Sequence, residues 1–119
     1  MEQQKRLDNF NSEIKTIITM NNKVLKSYFD FDIDKQGNIT NLTITDSYDE
    51  IKILVLCLGA IVGEYEMLTR LVTNITKELN VPSNKQVDFK SGLMRVCLHV
   101  IDAVINKCQE KINLLEEEK

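Results

Sequence analysis

Arg95 and His99 lie four residues apart in a stretch with helical periodicity, so both side chains leave one helix face. A guanidinium there can hold anionic oxygens, and an imidazole can exchange protons near neutral pH. His99 is the only histidine, and Leu98 and Val100 flank it, a setting that also suits a histidine at a helix interface. A second group is Asp30, Asp32 and Asp34, which alternate with Phe29, Phe31 and Ile33. Three carboxylates on one strand face can bind a cation weakly, or can serve as a solvated edge against stray strand pairing. Asp32, Asp34, Gln36, Gly37 and Ile39 partly follow a calcium-binding loop, but position twelve, which needs a bidentate Glu, is Thr43. Cys57, Cys97 and Cys108 sit in apolar stretches without CxxC spacing, as small hydrophobes do.

The Arg95–His99 pair resembles the Arg-x(4–6)-His signature of the helical HEPN ribonucleases. The resemblance implies a dimeric enzyme in which Arg95 and His99 act on an RNA phosphodiester, in a cleft between two protomers. The gap here is three residues, and the polar residue often seen beside the Arg is absent. Glu64 and Glu66, with Asp49 and Glu50, distantly resemble the carboxylates of helical nucleotide pyrophosphatases, which hold magnesium on ExxE and ExxD pairs. The Glu-x-Glu spacing points the two carboxylates in different directions, so a solvated face is the better reading. There is no Gly-rich phosphate loop and no nucleophile beside a base, and no cofactor is expected.

At 119 residues the chain is expected to form one domain, 1–119, able to bury a core without staples. Its 43% apolar and 28% charged fractions are ordinary for a globular chain. Net charge is −3 and the pI about 5.2, which argues against a broad phosphate-binding face but leaves room for a small local patch. Nucleic acid is therefore not the expected partner. The opening MEQQKRLDNF has no apolar signal-peptide core, so a reduced, cytoplasmic setting is expected. Lysine outnumbers arginine twelve to three, a bias of AT-rich genomes such as those of low-GC bacteria and their phages.

The elements that position these residues follow from periodicity. Leu7, Phe10, Ile14, Ile17, Ile18, Val24 and Leu25 form one stripe of a helix over about 2–27. The period then changes to two. Phe29–Ile33 and Ile39–Thr45 read as strands around a turn at Asp34–Asn38, with Gly37 supplying positive φ. Ile39 is out of phase with Leu42 and Ile44, and a bulge beside Gly37 would reconcile them. Ser47 and Glu50 form a capping-box pattern that starts a helix running to about Leu79, where Asn80 and Pro82 stop it. Residues Ile53–Val62 carry no charge, so this helix is expected to be buried on nearly every side, yet the stretch is too short to span a bilayer. Ser83 and Gln86 form a second capping pattern. A third helix follows to about Glu117, with a kink near Ser91-Gly92, and Met94, Cys97, Ile101, Val104, Cys108 and Leu115 make its seam.

The expected fold is thus mainly α. Three long helices, an N-terminal one and an antiparallel helical hairpin, carry a two-stranded β-hairpin between helices 1 and 2. A lone hairpin is marginal in water, so its Phe29, Phe31, Leu42 and Ile44 face must be covered, by the chain's own helices or by a second copy. Gly59 and Gly63 make a GxxxG on the central helix, which permits close helix approach. The expectation is a non-enzymatic protein–protein interaction module. It would be a homodimeric regulator, inhibitor or adaptor, of phage or mobile-element type, with an unidentified protein partner and no membrane. The HEPN-like ribonuclease or toxin is the alternative.

Overall fold

The computed structural model describes residues 12–19 and 23–117. Leu7 and Phe10 of the expected first stripe lie outside the described residues. Helix α1 covers 12–19 and buries Ile14, Ile17 and Ile18. Lys23–Ser27 is a 3-10 turn rather than a continuation of α-helix. It buries Leu25 but leaves Val24 exposed, which corrects the place given to Val24 on the apolar stripe.

Strands β1 (Phe29–Ile33) and β2 (Ile39–Ile44) form an antiparallel hairpin. Asp34 builds its turn. The Asp34 carboxylate accepts the amides of Gln36 and Asn38, each at 2.9 Å, and Gly37 adopts φ 83°. The bulge is not beside Gly37 but at Asn41, where φ is +54°. Asp30 pairs with Thr43 and Asp32 with Thr40, so Phe31 faces two residues, Asn41 and Leu42. The extra residue resets the alternation and brings Ile39, Leu42 and Ile44 onto one half-buried face. Asn tolerates the left-handed region, and its Nδ2 donates to Asp32 Oδ2 at 3.0 Å.

The expected long second helix is broken at Glu64, so the described residues contain four helices rather than three. Helix α2 is Tyr48–Gly63 and α3 is Tyr65–Glu78. Glu64 has φ −107° and ψ 63°, and its amide is shared between the carbonyls of Ala60 and Ile61. The stripe of α2 is Ile51, Leu54, Leu58 and Ile61; that of α3 is Leu68, Val72, Ile75 and Thr76. A continuous helix would carry Tyr65 into this stripe, between Ile61 and Leu68. The break leaves Tyr65 59% exposed, and it follows Gly63, a poor helix former.

The caps explain where the helices stop. Ser47 accepts the Glu50 amide at 3.4 Å, one arm of the expected capping box. The return arm is different: Thr45 donates to the Glu50 carboxylate at 2.9 Å and accepts the Ser47 amide at 3.2 Å. At the end of α3, Asn80 is left-handed (φ 55°), the Asn80 amide donates to Lys77 and the Val81 amide to Thr76, which is a Schellman motif. Ser83–Lys85 is a 3-10 turn with no side-chain cap, and Gln86 donates instead to the Val81 carbonyl, so the second capping box does not form.

Helix α4 (Gln86–Glu117) runs unbroken through Ser91-Gly92 without interruption of its helical geometry. It packs against α2, α3 and β2 and contributes Leu93, Cys97, Val100, Ile101, Val104 and Cys108 to the core. Its far end returns to the start of α2, where Lys111 pairs with Asp46 and Tyr48 donates to Glu116. The α2–α3 pair therefore runs antiparallel to α4. Among the described residues no helix is long and apolar enough to cross a membrane.

Candidate functional site

The absence of charge over Ile53–Val62 predicts burial nearly all round, but among the described residues its burial is one-sided. Ile51, Leu54, Leu58 and Ile61 face the core, while Ile53, Leu56 and Val62 are 42%, 73% and 45% exposed. Gly59, Ala60 and Gly63 lie on the same outward side. A Cβ built on Gly59 or Gly63 meets nothing within 4 Å, so neither glycine serves a close approach inside the chain. The uncharged outward strip is Leu56, Gly59 and Gly63, about 10 Å long, and Ile53 and Val62, nine residues apart, flank it on opposite sides. Lys52 borders it at one end, and Glu64 and Glu66 at the other, all exposed. A groove of about 540 Å³ continues it towards α4, lined by Gly59, Val62, Leu98, His99, Asp102 and Ile105.

Arg95 and His99 are both exposed on α4. They border different grooves. His99 lies on the α2 side, while Arg95 lies in a groove with Tyr65, Lys90 and Met94 between α3 and α4. Leu98 separates the two and lines both.

The hairpin's apolar face is covered by its own chain. Phe29 and Phe31 are buried, with their rings nearly parallel and 6.1 Å apart, in one cluster with Ile14, Ile17, Ile18 and Leu25. Leu42 and Ile44 are half-buried against that cluster. The three aspartates each have a separate partner. Asp30 pairs with Lys15 at 2.5 Å, Asp32 accepts from Asn41, and Asp34 holds the turn. The Lys15 hydrogen bond lowers the Asp30 pKa below the usual carboxylate value. Among the described residues no three His, Cys, Asp or Glu side chains gather in a way that holds a metal ion.

The cysteines are free thiols. Burial raises the pKa of Cys97 to about 12 and that of Cys108 to about 11, so both stay protonated and unreactive near neutral pH. Cys57 is half-buried on α2 beside Ala60 and Ile61.

Compared with known proteins, the chain matches no family model, no curated protein and no solved structure. The outward face of α2 is the feature that sequence reasoning placed only halfway. The absence of charge over Ile53–Val62 was visible, but which residues the chain's own helices leave open was not.

Proposed function

We propose that this chain is a protein–protein interaction module that works as a homodimer, with α2 as the shared helix. The observation that carries this reading is Leu56, 73% exposed at the centre of an uncharged face beside two unobstructed glycines. Exposed apolar faces of this kind mark interaction surfaces. A second copy fits better than an arbitrary partner because the face is complementary to itself. An antiparallel two-fold pairing crosses near Gly59, where small residues let the backbones approach. It also brings Lys52 of one copy beside Glu64 and Glu66 of the other. Regulator, adaptor or inhibitor roles then belong to the outer faces of the dimer.

Light scattering on a sizing column, at several protein concentrations, tests this. The unaltered protein is expected at twice 13.7 kDa. Leu56→Glu is expected to give a folded monomer, with helicity unchanged by circular dichroism. Val87→Glu, equally exposed but at the start of α4, is expected to remain dimeric. A monomer at every concentration for the unaltered protein would sink the proposal.

A second reading keeps Arg95 and His99. His99 borders the groove that continues the α2 face, so pairing through α2 would set His99 at the edge of a two-protomer cleft, the place the HEPN resemblance implies. In that reading His99→Ala abolishes RNA cleavage while leaving the solution mass unchanged. Equal cleavage, or equal lack of it, in both proteins removes it.

A further inference from the structure

At the root of the hairpin, α1, the 3-10 turn and both strands enclose a cleft of about 460 Å³, within the size range of small-molecule sites. Its charge is opposite to that of the molecule. The chain carries −3, but the cleft is lined by Lys15, Lys26 and one acid, Asp30. Asp30 is already held by Lys15, which leaves Lys26 as the uncompensated charge. The Lys15 ammonium is fixed, lying 5.2 Å from the centre of the Phe31 ring and bonded to Asp30. An ammonium has three N–H donors, so Lys15 has donors to give besides the one facing Asp30.

The remaining lining is rich in hydroxyls. Thr19, Ser27 and Thr45 are engaged with the chain, donating to Lys15, Val24 and Glu50 respectively. The Tyr28 and Thr43 hydroxyls and the Lys26 ammonium make no hydrogen bond to another described residue. Lys26 comes from the 3-10 turn, Tyr28 from the residue that joins it to β1, and Thr43 from β2, and all three residues line the same cleft as Lys15. Phe29 and Ile44 supply an apolar wall. One uncompensated ammonium, a second shared with Asp30, two hydroxyls and an apolar wall leave the lining a net charge of about +1, which suits a compact anion on a small organic body.

We infer that this cleft binds a small phosphate-bearing molecule, with the phosphate held by Lys26 and Lys15 and by the Tyr28 and Thr43 hydroxyls. Charge-assisted bonds to phosphate are the strong ones, and a partly enclosed cleft weakens them less than open water does. The site is local, and it is independent of the α2 face.

Inorganic phosphate is the probe. Amide NMR spectra are recorded as phosphate replaces chloride at constant ionic strength and pH. The expected result is a saturable shift of the Ser27, Tyr28, Thr43 and Thr45 amides, with a Kd on the order of 1 mM. Lys26→Ala, at an exposed position, is expected to weaken binding at least fivefold, while Lys77→Ala on α3 leaves it unchanged. Shifts that do not saturate, that spread evenly over the surface, or that survive Lys26→Ala overturn the inference.

Discussion

Asn41 shows how one residue sets the register of a sheet. Its left-handed backbone lets β2 carry one residue more than β1, and Ile39, Leu42 and Ile44 then share the covered face. Alanine in that region costs about 1–2 kcal/mol, a cost that glycine does not carry. Asn41→Ala is therefore expected to lower unfolding free energy by about 1 kcal/mol in urea titrations. Asn41→Gly should change it by less than about half of that. The alternation of Phe29 to Ile33 and the turn glycine Gly37 were legible because they are local patterns. The bulge was legible only as a need, since its position depends on Asn41 meeting Asp32 nine residues away.

Among the described residues, two ion pairs tie neighbouring elements together. Lys15 joins α1 to β1 through Asp30, and Lys111 joins α4 to the start of α2 through Asp46. Each lysine lowers the pKa of its aspartate, chiefly by hydrogen bonding. A carboxylate with a lowered folded pKa adds stability above its unfolded value, near pH 4. That stability is lost as pH falls through the folded value. Both aspartates are largely exposed, so the contributions are small. Melting temperatures measured from pH 7 to pH 3 should show a double variant, Asp30→Asn with Asp46→Asn, slightly below the unaltered protein at neutral pH. The gap should close below about pH 4. The end of α3 was readable from Asn80 and Pro82. The break at Glu64 was not, because no proline marks it and the stripe on either side stays in phase. What the sequence does not carry is the backbone of Glu64, whose amide is shared between the Ala60 and Ile61 carbonyls.

The whole molecule is elongated, 55 × 33 × 20 Å, and α4, at 1.5 Å per residue about 48 Å, sets its long axis. Mainly helical architecture with an inserted hairpin was legible from the change of period at Phe29. The exposed face of α2 was not, because an apolar run records which residues avoid water and not which neighbour shields them. The same limit holds for the hairpin cleft: Lys15, the Lys26–Tyr28 segment and Thr43 are apart in the sequence and line one cleft only in the fold.

Helix α4 also sets an order of events during synthesis. It supplies the surface on which the stripes of α2 and α3 are buried, and it is made after both. Until residues 93–108 have left the ribosome, the α4 side of the α2 and α3 stripes stays open. The nascent chain therefore carries an open apolar seam as well as the outward face of α2, and it depends on rapid closure by α4 to escape aggregation.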